Sequence, residues 1–395
     1  GTLVNVAIGG LFFLFAPIIL GPESYGLFAV VMATGLMAVN FANFGIDSGI
    51  LRFLKPNEEK QNNQILKLAF KAYVIIGLSI FVLGFILAGP LAKLLSIENY
   101  AGLLRIAFSG VIFILITNFF TAVLQTRKKF IESSLVGISS NLARLLILLI
   151  ASYFATISLF SITVLFFFVT IISTIVGGLY VPLDFLKEKD EHTHAKNFFG
   201  YNFWIAASLA ISSIPIDNYI LVKLSGPLAT GIFAAPMKLL STTYQFAGSF
   251  SRVLASRYSS FDTKTKAMEF SKKSLPFVIL ISFGLITAGI LFGPIVKIIL
   301  GKSFASSVPV FRILSVGMAF FFAETIPMAI LLYYMAKPKV TFYITIIHYV
   351  IYAALLFHLI PKFNVVGASW AFTISEGITF IVLSGYVYTK LQKND

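Results

Sequence analysis

Six ionisable side chains lie inside long apolar stretches of the sequence, where charged residues are rare. They are two bases and four acids, namely Arg144, Lys238, Asp47, Asp217, Glu324 and Glu376. An ionised group near the centre of a bilayer costs about 2.5–3.5 kcal/mol on insertion scales, so these side chains must face protein or water. Guanidinium and ammonium groups bind phosphate oxygens, and carboxylates at membrane depth bind protons or small cations. The pattern therefore indicates ligand and ion binding within a membrane.

The basic residues are candidates for binding an anionic headgroup. Arg144 and Lys238 lie within predicted spans, whereas Arg52 and Arg257 lie at the ends of predicted helices, 205 residues apart. Snorkelling to the membrane surface also explains arginines at helix ends, and a structural pair between helices also explains Arg144. Lys238 shares a helical face with several polar residues, and such a face cannot point at lipid. These residues are Ser241, Thr242, Gln245 and Arg252.

The acidic residues are candidates for ion coupling. Pro215 removes a helical hydrogen bond just before Asp217, and a bent helix beside a carboxylate is a common way to build an ion site. An ion pair between Asp217 and Lys238 would either exchange for a proton or sodium ion or only join two helices. Glu324 and Glu376 lie in mid-span, where ion binding and a structural hydrogen bond are alternatives. A further polar face, in the second span, consists of Asn40, Asn43 and Asp47.

Other kinds of chemistry have little support in the sequence. The absence of cysteine excludes disulfides, thiolate metal sites and thiol catalysis. Gly301, Lys302 and Ser303 resemble the end of a phosphate loop, but the first glycine of that motif is missing, so ATP hydrolysis is not expected. His192 and His194 lie in a charged loop that we interpret as solvated and not as a metal site. We therefore predict a transporter and not an enzyme, with no metal and no cofactor.

Composition and apolar runs predict an all-α polytopic membrane protein. The mean hydropathy is +0.92, and 58% of the residues are hydrophobic whereas 12% are charged. Runs that cross about 30 Å of hydrocarbon must be helices, because an open sheet leaves backbone groups unsatisfied in lipid. Gly1 already lies in such a run, so we expect further residues before it. The sequence contains twelve runs, at 1–20, 25–51, 68–92, 103–125, 131–155, 158–183, 197–222, 228–250, 274–300, 306–334, 340–360 and 364–389.

The net charge of +14 follows from membrane topology. With twelve spans, the connections on one side carry 21 lysine and arginine residues, and those on the other side carry 7. Basic loops are retained in the cytoplasm, so we predict a multi-pass protein of the cytoplasmic membrane with both termini cytoplasmic. Attraction to anionic lipid headgroups accounts for the remaining basic character, and nucleic acid is not expected as a partner.

The sequence contains an internal repeat. Residues 21–29 (GPESYGLFA) return as 226–234 (GPLATGIFA), and residues 89–93 (GPLAK) return at nearly the same offset as 293–297 (GPIVK). A shared offset indicates a duplicated unit of six spans, and an even number of spans makes the two repeats parallel. The predicted divisions are an N-terminal bundle at 1–183, a cytoplasmic linker at 184–196 and a C-terminal bundle at 197–395.

Several segments carry a family resemblance. They are 20–28 (LGPESYGLF), 44–53 (FGIDSGILRF), 300–304 (LGKSF), 337–339 (KPK) and 366–371 (VGASWA). Together they resemble the polysaccharide transporter branch of the multidrug/oligosaccharidyl-lipid/polysaccharide exporter superfamily, which contains the O-antigen-type flippases. The resemblance covers essentially the whole chain, and it rests on several short segments and not on one diagnostic residue.

The resemblance implies two six-helix bundles in a V like that of the multidrug and toxin extrusion (MATE) transporters, opening alternately to each side. It implies flipping of an oligosaccharide linked to polyprenyl pyrophosphate, driven by a proton or sodium gradient and not by ATP. Expected partners are membrane lipids and glycan polymerase or ligase machinery. The candidates for pyrophosphate binding are Arg144, Lys238, Arg52 and Arg257, and those for ion coupling are Asp217, Glu324, Glu376 and Asp47.

Other functions remain as alternatives. A cation-coupled multidrug exporter of the same superfamily would use Asp217, Glu324 and Glu376 to bind cations and a cationic drug. A membrane-embedded glycosyltransferase would need sizeable extracytoplasmic loops, and the predicted loops on that side are only a few residues long. A scaffold for glycan assembly is a further alternative.

The charge asymmetry yields a test of topology. A cysteine that replaces Lys128 should react with an impermeant maleimide only from the cytoplasmic side, and one that replaces Lys302 only from the opposite side. Because the chain has no native cysteine, each signal reports a single site. Labelling of both positions from one side would contradict the predicted topology.

Overall fold

The computed structural model describes residues 2–43, 45–54, 58–154, 156–188 and 203–393. Within these ranges the chain is helical and contains no strand. It forms two compact units. Unit 1 comprises Gly1–Leu20 and Leu27–Pro215, and unit 2 comprises Gly21–Gly26 and Ile216–Asp395.

The domain limits inferred from the sequence stay a prediction. Most of the linker expected at 184–196 lies outside the described residues, as do His192 and His194. The division between the two compact units falls later in the chain, between Pro215 and Ile216.

Unit 1 consists of long apolar helices joined by short turns. The first helix, α1, passes through both units because its residues Gly21–Gly26 belong to unit 2. The described helices are α1 (Thr2–Asn43), α2 (Ile46–Phe53), α3 (Glu59–Leu94), α4 (Ala101–Thr126), α5 (Phe130–Phe154), α6 (Leu159–Phe168), α7 (Thr170–Tyr180) and α8 (Phe203–Ser212).

Unit 2 also consists of long apolar helices, and one of its segments changes helical type near a proline. Between Ser307 and Tyr334 the chain passes from α-helix into a π-helical turn, and Pro327 lies in the short helix between them. The described elements are α9 (Ile216–Leu240), α10 (Thr242–Tyr258), α11 (Lys264–Leu300), α12 (Ser307–Ala323), α13 (Thr325–Ala329), the π-helical turn Ile330–Tyr334 and α14 (Pro338–Lys393).

The described helices account for the spans expected from the sequence. Nine helical stretches are long and apolar enough to cross a membrane. Three of them contain a residue with non-helical backbone angles, namely Gly21, Gly226 and Asn364. Dividing these three stretches at their breaks gives twelve segments in the described chain. The prediction of an all-α membrane protein is thereby confirmed.

Each unit repeats the same internal packing. In unit 1, α3 packs along α4, and in unit 2, α11 packs along α12. The most apolar part of α3 is only 17% buried and that of α11 only 11% buried, so both helices present most of their surface to lipid. Their partners α4 and α12 carry the buried faces. The third and fourth spans of each half therefore have equivalent places, as a duplication requires.

Glycines in unit 1 create notches that phenylalanine rings fill. A Cβ atom at Gly35 or at Gly110 would lie 2.5 Å from the side chain of Phe167, and one at Gly177 would lie 2.5 Å from that of Phe120. Lipid tails are as apolar as side chains, so close van der Waals packing, and not exclusion of water, holds such helices together. Several of the 28 glycines and 42 phenylalanines of the sequence have this structural use.

The two copies of the GPxxxG segment contact each other within unit 2. Gly21 (φ 70°, ψ 168°) and Gly226 (φ 83°, ψ 176°) adopt the same backbone conformation, which strongly favours glycine. A Cβ atom at Gly26 would lie 1.9 Å from the carbonyl oxygen of Pro227, and one at Gly231 would lie 1.7 Å from that of Pro22. The contact is reciprocal, so the repeat seen in the sequence is also a symmetric contact in space.

We expect Gly26→Ala and Gly231→Ala each to destabilise the protein by about 1–3 kcal/mol, because a methyl group would collide with a backbone carbonyl that cannot move away alone. Gly10→Ala is the matched control, since no atom lies within 4 Å of a Cβ at that position. The measurement is the thermal unfolding midpoint in detergent. An equal midpoint for all three variants would show that the contact between the two GPxxxG segments tolerates a side chain.

Candidate functional site

Three helices of unit 1 position Arg144. This half-buried residue lies in α5, and its Nη1 atom donates a hydrogen bond to Asn141 Oδ1 at 3.0 Å, one helical turn earlier. Its Nη2 atom donates to the hydroxyl of Thr170, the first residue of α7. The guanidinium carbon lies 4.6 Å from the centre of the Phe166 ring in α6. Asn141 in turn donates to Asn5 Oδ1 at 2.8 Å, which connects α5 to α1.

The shell around Arg144 is neutral. No described carboxylate pairs with the guanidinium, and the buried Nε atom has no hydrogen-bond partner among the described groups. A carboxamide, a hydroxyl and an aromatic face orient the group without compensating its charge. A guanidinium held in this way can bind a phosphate or another anion through its remaining donors. Among the bases suggested by the sequence whose side chains the structure describes, Arg144 has the best-defined surroundings.

Asp47 belongs to a tightly satisfied cluster in unit 1. Helix α2 begins just after Gly45 (φ 82°), and Asp47 lies in its first turn, beside the end of α1. Asn43 Nδ2 donates to Asp47 Oδ2 at 2.7 Å, and the Tyr73 hydroxyl of α3 donates to Asp47 Oδ1 at 2.6 Å. The polar face that contains Asn43 and Asp47 is therefore present, and Tyr73 is the partner that the sequence did not indicate. These bonds join three helices, and a coupling role for Asp47 stays a prediction.

Asp217 lies at a helix start in unit 2. Helix α8 ends at Ser212 and α9 begins at Ile216, so the helix is broken at Pro215 as expected. Asp217 Oδ1 accepts from the backbone N–H of Asn218 at 2.7 Å, and the Tyr352 hydroxyl of α14 reaches Oδ2 at 3.4 Å. The described contacts of Asp217 do not include Lys238, and the suggested pair between these two residues stays a prediction.

Glu324 and Glu376 meet in the interior of unit 2. They are only 7% and 6% exposed, and their carboxyl groups lie within hydrogen-bonding reach of each other. The sequence showed no base near either residue, but the structure places His348 Nε2 3.9 Å from Glu376 Oε1. Glu324 Oε1 is buried without a hydrogen-bond partner in the described chain. The three side chains come from two segments, the junction of α12 and α13 and the long helix α14.

The remaining candidates have less defined surroundings. Lys238 is half-buried in the last turn of α9, and Arg257 is exposed in the last turn of α10. The side chain of Arg52 lies outside the described residues. Their convergence with Arg144 on one ligand stays a prediction. Within the described ranges no three histidine or acidic side chains are arranged to hold a metal ion.

His348 could have been found by a weak signal in the sequence. It lies in an apolar run together with Tyr352, one turn later, and both side chains are polar groups at membrane depth. Two such residues on one helical face indicate a polar partner on a neighbouring helix. The identity of that partner depends on how the helices are rotated against each other. The sequence pattern does not specify this rotation.

Comparisons with known proteins agree with this architecture. The profile of the family described as "Polysaccharide biosynthesis protein" matches residues 1–255. A protein of Shigella flexneri that is provisionally described as an O-antigen transporter is 24% identical over 388 residues, covering 94% of this chain and 91% of that protein. An uncharacterized membrane protein of Methanocaldococcus jannaschii is 25% identical over 421 residues, covering 100% and 96%.

Solved structures show the same fold. An inward-facing multidrug resistance MATE family transporter of the MOP superfamily matches with a TM-score of 0.85 at 14% identity, covering 99% of this chain and 94% of that chain. The lipid II flippase MurJ, in an inward closed conformation, matches with a TM-score of 0.76 at 18% identity, covering 98% and 88%. At these identities the likeness establishes the fold and not the substrate.

The Asp47 cluster yields a stability prediction. Tyr73→Phe keeps the buried ring but removes the hydroxyl that donates to Asp47, which should cost about 1–3 kcal/mol because the carboxylate loses a partner. Tyr153→Phe is the matched control, since Tyr153 is 85% exposed. Thermal unfolding of both variants in detergent is the measurement. Equal midpoints would mean that the hydroxyl does not anchor α2.

Proposed function

Since the chain belongs to the polysaccharide biosynthesis protein family, we propose that it is a flippase that moves a lipid-linked oligosaccharide across the cytoplasmic membrane. The substrate would be an oligosaccharide on a polyprenyl pyrophosphate carrier. Transport would proceed by alternating access and draw on an ion gradient and not on ATP. The provisional description of the Shigella relative as an O-antigen transporter and the name of MurJ as a lipid II flippase support this class of cargo.

The uncompensated charge of Arg144 is the observation that carries the proposal. A pyrophosphate headgroup presents a dense negative charge, and a planar guanidinium can grip two phosphate oxygens at once. In the described chain the group already has its orientation, from Asn141, Thr170 and Phe166, but no counter-ion. Binding of an anion would complete the site. Lys238, Arg52 and Arg257 are proposed as further contacts with the headgroup.

The same observation weighs against the main alternative. A multidrug exporter with this fold would bind cationic or amphipathic drugs, and a buried guanidinium without a counter-ion repels cations. The resemblance to a MATE transporter concerns the fold, which is shared by exporters of different cargo. Drug resistance on expression, with no movement of lipid-linked sugar, would favour the exporter.

An ion gradient is the proposed energy source because the sequence contains no complete nucleotide-binding motif. A second ligand can drive transport only if it binds the two conformations with different affinity. Asp217, Glu324 and Glu376 are acids within unit 2 that could bind such a ligand. Membrane lipids, and the polymerase or ligase that uses the flipped oligosaccharide, are the proposed partners.

The test is flipping of a fluorescent lipid-linked oligosaccharide in reconstituted vesicles, read as accessibility of the headgroup. Arg144→Gln should slow flipping roughly tenfold to a hundredfold, the loss expected for one or more charge-assisted hydrogen bonds. Arg144→Lys should restore part of the rate, because an ammonium keeps the charge but not the planar fork.

Arg252→Gln is the matched control, since Arg252 is exposed and bonds only to Ser249 on its own helix among the described contacts. Equal thermal midpoints for the Arg144 variants and the wild type would separate ligand binding from folding. A folded Arg144→Gln protein that flips at the wild-type rate would refute the role of Arg144. Failure of the wild type to flip any lipid-linked oligosaccharide would refute the proposed function.

A further inference from the structure

Two acids in unit 2 are placed where two negative charges at once are strongly unfavourable. Glu324 and Glu376 are almost completely buried, and their carboxyl groups lie within hydrogen-bonding reach of each other. No described lysine or arginine pairs with either group. An ionised carboxylate only accepts hydrogen bonds, so two carboxyl groups can bond to each other only if one of them carries a proton. In this arrangement a bound cation removes the repulsion between the two carboxylates, and the smallest that fits between two oxygens is a proton.

The hydrogen bonds around His348 assign its tautomer. The Thr379 hydroxyl donates its only hydrogen to the Ser375 carbonyl at 2.8 Å, so it cannot also donate to the ring. His348 Nδ1 lies 2.8 Å from the same hydroxyl and must be the donor in that bond. In the neutral ring Nε2 then carries the lone pair, and it faces Glu376 Oε1 at 3.9 Å. A proton acceptor is thus held next to the carboxyl pair by a fixed second bond.

We propose that Glu324, Glu376 and His348 form a proton-binding site and that the ion driving the proposed flippase is a proton. This inference rests on the flippase function proposed above and names its coupling ion. In the loaded state one proton is shared by the two carboxyl groups. When that proton moves to Nε2, an imidazolium faces Glu376, and both carboxylates are ionised. Release of the proton from Nε2 to water completes the exchange, with no other reactant.

The surroundings favour a proton over sodium. The buried Glu324 Oε1 atom has no hydrogen-bond partner among the described groups, and protonation of the carboxyl group lowers the cost of leaving it so. An imidazole nitrogen suits a proton better than a hard alkali ion, which prefers several oxygen ligands. The other ionisable groups close enough to interact are Asp217 and the hydroxyls of Tyr244, Tyr349 and Tyr352, and none of these carries a basic nitrogen. Within the described chain His348 is thus the nitrogen base of this cluster.

Glu324 lies where proton binding can affect the conformation of a helix. Glu324 lies at the junction of α12 and α13, three residues before Pro327, which cannot donate to the carbonyl of Ala323. A π-helical turn follows at Ile330–Tyr334, and such turns occur often at functional sites. Here the helix lacks a backbone hydrogen bond. Ionisation of a buried carboxyl group at such a place changes the relative free energies of alternative conformations of the helix. Proton binding can in this way bias the conformation of the span.

Infrared spectroscopy of the full chain in nanodiscs tests the site without transport. At neutral pH the wild type should show the carbonyl stretch of a buried, protonated carboxylic acid, shifted in heavy water. Glu324→Gln and Glu376→Gln should each lose this band, because the remaining carboxylate accepts from the new amide. The matched control Glu269→Gln should keep it, since Glu269 is exposed and pairs with Lys273. Absence of the band in the wild type, or its persistence in both Gln variants, would overturn the site.

Sodium is distinguished in the same experiment. Sodium chloride should leave the band unchanged relative to choline chloride. If sodium, and not choline, removes the band, sodium competes for the carboxyl pair and the proton assignment is wrong. Should a Gln variant fail to fold, Glu324→Asp and Glu376→Asp provide the second pair. These variants shorten the side chain and should shift the band without abolishing it.

Vesicle transport then tests coupling. An imposed proton gradient should accelerate flipping by the wild type, and a sodium gradient at equal pH should not. The acceleration should be lost in Glu376→Gln, reduced in His348→Gln and retained in the control Glu269→Gln. Loss in Asp217→Asn with retention in Glu376→Gln would place coupling at Asp217 and overturn the proposal. A wild type that shows the infrared band but flips no lipid-linked oligosaccharide would refute the flippase and not the proton site.

Discussion

The absence of water from the bilayer interior is the constraint on which this structure depends. Each backbone polar group must find its partner within a helix, so the chain leaves helical geometry only at defined points such as Gly21, Gly226 and Asn364. Each side-chain charge must likewise be neutralised, oriented or placed near water. The helical breaks and the buried polar clusters of the described chain are the two results of this one constraint.

The charged groups at membrane depth have different kinds of partners in the two units. In unit 1 the carboxylate of Asp47 is satisfied by Asn43 and Tyr73, whereas the guanidinium of Arg144 is held by neutral groups and keeps its charge. In unit 2 the acids are gathered, and no described base other than His348 approaches them. The proposals above accordingly assign the anionic ligand to one unit and the cation to the other.

Small residues make the close packing possible. Without a hydrophobic driving force between helices, stability depends on van der Waals contact, and glycine lets a backbone or an aromatic ring approach closely. The reciprocal contact of Gly26 with Pro227 and of Gly231 with Pro22 is the closest of these approaches. It consists of backbone atoms alone, so it adds no polar side chain to the membrane interior. The two copies of the duplicated segment thus pack against each other, and the glycine of each copy lies against the proline carbonyl of the other.

The sequence by itself determined the class of protein, the helical spans and the family, because hydropathy, chain length and short motifs are local properties. It also indicated Arg144, Asp47, Asp217, Glu324 and Glu376 as unusual, since a charge in an apolar run needs no structure to be noticed. Only the tertiary structure decided their partners: Thr170 and Phe166 for Arg144, Tyr73 for Asp47, and His348 for Glu376. Each pair joins residues far apart in the chain, and such contacts depend on the rotation and crossing of whole helices, which no periodicity in the sequence specifies.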